Sequence, residues 1–551
     1  TTTTNNNRNN SGSMRDVTPV LPMFSTLSPL HLTGLDTATW PMDGGGVAAC
    51  RRDLVDQLPR LRWDMVPELG NEAKVVPGGY NVETNVRSMT CIPLWHTAGV
   101  GEWQPYEHEL SHIPYGEISA RRFRTTDHAI RTHFMPIFKT LMHAMTTFVP
   151  SGEQLSEATG ALVQLFLYLR HFDLYRTVTH RMVREAFSYI WLSSEFRYAA
   201  NFPVMRAEQP TLDDAEVLYE LMWSHYMRPF QADVPFNRVI HASHHGIMAC
   251  LGIIGKVLYG SAFVQWDHSI MYREHLRFTN DDRFLPLAVK NGIGSLFQLF
   301  MLLNYSNADT IVSCCSTFNN EWELNLGGGR GHNHRTAVMK RKLSPVVNGM
   351  LMGRFHVNRE AERPNPTVIM LSHINVLKDI LTAVRAARII VEDFKITSYQ
   401  LLVYGDMSKD PPYAATCLAY IVANGLAANV VLCGLGDSPA VLPKAWLMLN
   451  SSKSEGLPLA LGEAGLAGLP IVCTDVAGSR EILQVDPSTP ETVYGRLVPP
   501  ADPLALARAQ LEVLAMLRDL ESLARAEDLN TKTKDTRKGA AIHGGGGGGG
   551  G

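Results

Sequence analysis

Several absences narrow the chemistry before any motif is read. The eight cysteines (Cys50, Cys91, Cys250, Cys314, Cys315, Cys417, Cys433 and Cys473) are scattered through apolar stretches without C-x-x-C pairing, which reads as reduced, buried thiols in a cytosolic compartment. Long hydrophobic runs are missing too. The longest, Gly246 to Gly255 and Gly292 to Leu303, fall short of the roughly 20 residues a membrane-spanning helix needs, and Lys256 stops the first. Neither sign of charge dominates: 50 Lys plus Arg against 53 Asp plus Glu gives a formal charge of -3, so no global field favours nucleic acid or acidic membranes. Any anion site must be local. No signal peptide is visible, and the expected location is cytoplasmic, or membrane-associated through a longer parent protein or a partner. The chain opens on Thr1 and ends in a glycine run, as a fragment would. It has no D-x-D motif; the pairs Asp213-Asp214 and Asp281-Asp282 read as surface or loop charges. It also has no G-x-G-x-x-G loop with a suitably placed acid, which argues against a dinucleotide-dependent oxidoreductase.

What is present is ample material for two cores. The 551 residues exceed the usual single-domain size, with 45% apolar and 19% charged residues. Residues 1 to 23 and 530 to 551 are expected to be disordered tails, low-complexity and polar at one end and glycine-rich at the other. From about 118 to 200, long apolar and aromatic residues recur at helical spacing, predicting a helical insertion. Short β-branched strands then alternate with helices: Arg238 to Ile240, Ala262 to Trp266 and Thr310 to Ser313, with helices from Gly246 and Ile293. The rhythm restarts with Thr367 to Leu371, Gln400 to Tyr404, Asn429 to Leu432, Trp446 to Leu449 and Pro470 to Cys473. Such alternation predicts parallel sheets covered on both faces. The expectation is an α/β protein of two Rossmann-like lobes, 24–357 and 367–529, facing a cleft across a hinge at 358–366. In such sheets ligands bind at the carboxyl ends of the strands, so the loops after each strand are the ones to inspect.

One of these loops stands out. Ser451 to Pro470 reads SSKSEGLPLALGEAGLAGLP directly after a predicted strand. Gly456 relaxes the backbone, Pro458 suits a first helical turn, and the helix that follows points free N–H groups at the cleft, a ready site for a diphosphate. Glu455 and Glu463 are spaced E-x7-E. Were the whole interval helical, their backbones would lie about 12 Å apart, against about 5 to 9.5 Å between the carboxyl groups of glycosidases. The spacing leans instead toward carboxylates that hold hydroxyls at two ends of an extended ligand. Taken alone, two glutamates on a solvated helix face would also fit.

The string EGLPLALGEAGLAGLPIV, with Gly478 and Glu481 behind it and Tyr494 to Pro499 further on, resembles the donor site of retaining GT-B glycosyltransferases of family 4. It is similar in particular to the branch of bacterial Pel-polysaccharide glucosyltransferases and their large fungal relatives. Matching stretches run from about Trp40 to Asp502. WPMDGGGVAACRRDL resembles the family's glycine loop, with Gly44, Gly45 and Gly46; HASHHGIMACLGIIGKVLYGSAFVQWDHSIMYREH resembles the core of its N-terminal lobe. The His241, His244 and His245 cluster lacks partners at ligand spacing, so no metal is expected.

The resemblance implies roles. Lys378 would act on the donor diphosphate, His268 near the reacting sugar with Arg273 and Glu274 beside it, Glu455 on the donor sugar and Glu463 on the ribose. Gly456, Leu457 and Pro458, with Tyr404-Gly405 and Gly434-Leu435 at the ends of two strands, would shape the donor pocket, and Asn348 with Gly349 would form a structural turn. At His373 the family often has arginine, so phosphate binding here would be weaker or pH-dependent. The implied reaction is metal-independent transfer of a hexose, glucose foremost, from a nucleoside-diphosphate sugar such as UDP-glucose to a glycan or other hydroxyl acceptor, with retention. The co-substrate aside, no cofactor, nucleic acid or transmembrane segment is expected. The alternative is a nucleotide-sugar-binding lobe without turnover, or a fragment of a larger polysaccharide synthase.

Overall fold

A computed structural model describes residues 29–37, 46–71, 85–95, 113–147, 150–201, 210–282, 284–317, 341–350, 352–355, 366–483 and 495–518. Gly44, Gly45, nearly all of the 358–366 segment and both tails lie outside the described residues.

Two wholly parallel sheets organise the chain. The first contains β1 (Leu30–Thr37), β2 (Leu61–Asn71), β3 (Val86–Met89), β4 (Ile92–Trp95), β5 (Val239–Ala242), β6 (Ala262–Asp267), β7 (Thr310–Ser313) and β8 (Leu343–Pro345). Its order is β3-β2-β1-β5-β6-β7-β8, with β4 also pairing with β2. The second contains β9 (Thr367–Leu371), β10 (Gln400–Tyr404), β11 (Val430–Gly434), β12 (Leu447–Asn450), β13 (Ile471–Thr474) and β14 (Gly495–Val498), in the order β11-β10-β9-β12-β13-β14. In each sheet the chain winds outward one way, returns to the first strand and winds the other way. That order is the doubly wound one, and it places a topological switch point between β1 and β5 and another between β9 and β12. The two lobes adopt the expected GT-B arrangement, Rossmann-like sheets facing a cleft.

The central strands of the second lobe are apolar enough to be covered on both faces: every residue of β12 (LMLN) and β13 (IVCT) is buried. The first lobe carries the helices of the insertion, which run past the expected 118–200 block. They begin at Tyr115 and continue through Leu212–Leu221 to a short turn ending at Gln231. Phe134, Phe138, Tyr168 and Trp223 stack inside this bundle, in one core that continues under the first sheet through Ile240, Ile254 and Phe263. Asp214 is a correction to the sequence reading. It is buried and forms a capping box with Thr211 at the start of Leu212–Leu221, so it is neither a surface charge nor a loop charge. Asp282 accepts from the N–H groups of Phe284 and Leu285, which makes it a local turn cap. All eight cysteines are free thiols, and six of them are buried.

Candidate active site at the second switch point

The loops after β9 and β12 meet where the strand order of the second sheet reverses. After β9 the chain delivers Lys378 on a turn whose next residue, Asp379, has a left-handed backbone (φ 47°). Bonds from the β12 loop hold that conformation. Ser451 Oγ donates to the carbonyls of Lys378 (3.1 Å) and Asp379 (2.9 Å), and the Lys453 N–H donates to the Leu377 carbonyl at 2.8 Å. A non-glycine residue in this region is unfavourable by about 1–3 kcal/mol and persists only where its surroundings over-determine it.

The result is an ion pair. Lys378 Nζ donates to both oxygens of Glu455, at 2.7 and 2.8 Å. Glu455 also accepts from Ser452 Oγ (2.5 Å) and Asn450 Nδ2 (3.3 Å), which fixes the carboxylate from the β12 side. Its side chain is 7% exposed and that of Lys378 is 27%. The ammonium therefore keeps a face toward solvent, while the carboxylate spends Oε1 on three protein donors and Oε2 on Lys378 alone.

A cavity of about 370 Å³ opens here. Lys378, Glu455, His373, Gly405, Leu457, Pro458 and Glu463 line it, together with Gly46 at the start of the first-lobe helix Gly46–Gln57. Tyr404 and Leu435, expected beside Gly405 and Gly434 at the ends of two strands, line it too, and so do Ser372, Gly436, Ser438 and Asn450, which sequence reasoning did not single out as site residues. Their shared signal is position, since all follow or end strands β9 to β12. Gly405 is obligatory, because a Cβ there would collide with the Ser372 carbonyl. Gly434 ends β11 with a positive φ of 75° and its carbonyl accepts from the Gly405 N–H at 2.7 Å, but it does not itself line the cavity.

The helix Leu459–Leu466 starts one residue later than the sequence reading set it. Pro458 is its cap (φ -74°, ψ 94°) and not its first turn. Glu463 sits on this helix half-buried. Burial raises its carboxyl above the usual value, against the opposing pull of Ser438 and Arg354. Burial, aided by Lys409 and Lys378, lowers the His373 ring below its ordinary value, so it faces the cavity neutral near pH 7. Its Nδ1 has no partner among the described residues.

His268 lies across the cleft from this group and does not line the cavity. It follows β6, with its carbonyl packed against Gly456 so closely that a Cβ at Gly456 would strike it. Burial, with His244, Arg51 and His241 nearby, holds its ring well below the usual histidine value, hence neutral. The preceding residue, Asp267, anchors the turn: it accepts from the His245 N–H (2.8 Å), Tyr305 Oη (2.6 Å) and Gln265 Nε2 (3.1 Å). Burial alone would raise the Asp267 carboxyl, but His245 and Tyr305 more than reverse this. Arg273 Nη2 donates to Ser454 Oγ at 3.0 Å, next to Glu455. Among the described residues, no group of three or more His, Cys, Asp or Glu side chains is placed to hold a metal ion, and no helix is long and apolar enough to cross a membrane. A larger cavity of about 970 Å³ adjoins the Leu459–Leu466 helix; its walls are largely apolar (Met350, Leu461, Leu466, Ile482), and Glu481 is its single charged lining residue.

Comparison with known proteins separates the lobes in the same way. Residues 365–516 match the family described as Glycosyl transferases group 1, and residues 35–330 match a family described as Domain of unknown function (DUF3492). No curated protein matches the chain. Sucrose-phosphate synthase from Thermosynechococcus elongatus is a similar solved structure (14% identity, 88% of this chain and 90% of that chain, TM-score 0.48). Anabaena HepE in complex with UDP and glucose is another (15% identity, 56% and 72%, TM-score 0.39), as is TarM (14% identity, 51% and 48%, TM-score 0.35). The two sheets define the fold without them. Except for Gly46 and Ala49, every residue lining the 370 Å³ cavity falls inside the glycosyl transferases group 1 match.

Proposed function

The chain belongs to the family defined by that domain of unknown function (DUF3492), its second lobe is a glycosyl transferases group 1 domain, and from this premise we propose that it catalyses nucleotide-sugar glycosyl transfer. In finer terms, we propose a retaining, metal-independent transferase of family 4, akin to the Pel-polysaccharide branch. It moves a hexose, glucose first among candidates, from a UDP-sugar to a glycan or other hydroxyl acceptor.

One observation carries the proposal: Lys378 and Glu455, 77 residues apart in sequence, meet at the wall of the cavity at the switch point. The reaction needs a donor diphosphate to leave with its charge stabilised. The exposed face of the Lys378 ammonium and the N–H groups opening the Leu459–Leu466 helix are the donors suited to it. Glu455 keeps acceptor capacity for a sugar hydroxyl while orienting Lys378. Glu463, one helical turn further in, accepts from the ribose. His268, neutral and buried, contributes dipoles and its carbonyl at the reacting end, where the acceptor oxygen approaches the face from which the nucleoside diphosphate departs.

The test is nucleoside diphosphate release from a panel of sugar nucleotides. Release from one donor, lost in Glu463→Ala and Lys378→Ala, is the expected result. Donor binding with no release across varied acceptors and pH would overturn the transferase reading in favour of a binding lobe. The neutral His373 is the feature that would favour that second outcome.

A further inference from the structure

Contacts between the lobes converge on Gly456, the residue after Glu455. Its carbonyl accepts from the Gly478 N–H at 2.9 Å and from Cys315 Sγ at 3.7 Å. The His268 carbonyl, packed on the same residue, accepts from Cys314 Sγ at 3.4 Å. Gly478 has no room for a side chain either: a Cβ would stand 2.6 Å from the Gly456 carbonyl. The residue before it, Ala477, has a left-handed backbone (φ 38°). Just beyond, on the short helix Ser479–Leu483, Glu481 reaches into the first lobe. Its carboxylate accepts from the backbone N–H of Ser316 (2.9 Å), the backbone N–H of Thr317 (2.8 Å) and Thr317 Oγ1 (2.7 Å), on the helical segment that follows β7. Burial alone would raise this carboxyl; the Ser316 and Thr317 donors outweigh it and hold it below its usual value, so it is ionised near pH 7.

We propose that Glu481 is a positioning residue that sets the register of the two lobes, holding His268 and Arg273 against the Ser454–Gly456 turn. The inference rests on the transferase reading, which it deepens. Two domains joined by a linker move relative to one another unless their interface is large and apolar. Around Gly456 the interlobe contacts are one thiol donor, backbone packing and the single Arg273–Ser454 hydrogen bond. The Glu481 carboxylate instead makes charge-assisted bonds to two successive N–H groups, and such bonds are roughly twice as strong as neutral ones. The Ser316 and Thr317 N–H groups use different oxygens of Glu481, and glutamine puts an NH2 donor in place of one of them, so it is a graded probe.

The experiment uses the full chain with dyes on click-reactive residues replacing Val257 and Val422, exposed positions in the first and second lobes. Glu481→Ala is expected to broaden the interlobe distance distribution and lower kcat at least tenfold. The donor KM should stay within threefold, because Lys378, Glu455 and Glu463 are untouched. Glu481→Gln should fall between parent and alanine on both readouts. An unchanged distribution with unchanged kcat would overturn the proposal, as would a rise in donor KM larger than the fall in kcat. If the parent shows no turnover, the transferase reading fails on its own, and the distance measurement still decides the role of Glu481.

Discussion

The two sheets share a winding order yet arm their switch points differently. In the second lobe the polar groups are half-open: Lys378 is 27% exposed and looks into a cavity. In the first lobe they are sealed. Arg51 and Asp36 pair at 2.9 Å with side chains 1% and 0% exposed, and Arg51 Nη1 also meets His241 Nδ1 at 2.9 Å. Beside them His244 and His268 are buried and His241 is half-buried, and all three are neutral. One lobe therefore presents charge to a charged ligand, while the other spends charge internally to shape a neutral surface. That division suits an anionic donor on one side and an uncharged hydroxyl acceptor on the other.

The comparison breaks most visibly at Arg51. Arg51→Leu strands Asp36 as a buried unpaired charge, and we expect a loss of about 3–5 kcal/mol in denaturant unfolding, with little change in donor affinity for the folded fraction. A loss below about 1 kcal/mol would mean that the pair is not structural. Lys378→Ala should act in the opposite sense, lowering turnover roughly 10²–10³-fold, the range for removing one preorganised donor, with a smaller effect on stability because Glu455 keeps Ser452 and Asn450.

Acid should distinguish the lobes next. His244 is held down to about 4 chiefly by burial, from an ordinary 6.5. Its neutral form is the folded one, so its contribution is whole above pH 6.5 and is lost as the unfolded chain takes up protons below that. By pH 5 this one ring removes about 2 kcal/mol, at about 1.36 kcal/mol per pH unit. His244→Phe should flatten the fall of Tm between pH 7 and pH 5; an unchanged slope would reject burial as the cause. The smallest effect is expected from His373→Arg, which adds a permanent cation at the cavity. Donor KM should improve a few-fold at low salt, and the gain should shrink at high salt.

Much of the second lobe was legible because its strands are continuous apolar runs and one wall of its site, Glu455 to Glu463, is a contiguous string. Strands β9 and β10 fall where the sequence set them, and β11, β12 and β13 each shift by one residue at their start. The first four strands were not legible. Thr33, Asp36, Asp64 and Glu68 interrupt β1 and β2 with buried polar groups, which erases the hydrophobic signal. The partners of the first three are remote: Asn237 serves Thr33 and Asp64, and Arg51 serves Asp36. For the same reason Arg51 passed as an ordinary helix residue. Glu481 stood in the string quoted for its resemblance, but its role depends on Ser316 and Thr317, more than 160 residues away, and no local pattern encodes that distance.

The central claim is that the donor binds the second-lobe cavity while the first lobe's sealed polar groups do not hold it. Calorimetric titration of UDP into the full chain, Glu463→Ala, Lys378→Ala and His268→Ala tests it most directly. The account predicts binding that is lost or weakened at least tenfold in the first two variants and unchanged within threefold in His268→Ala. Binding that survives both second-lobe substitutions, or that falls equally in His268→Ala, would contradict it.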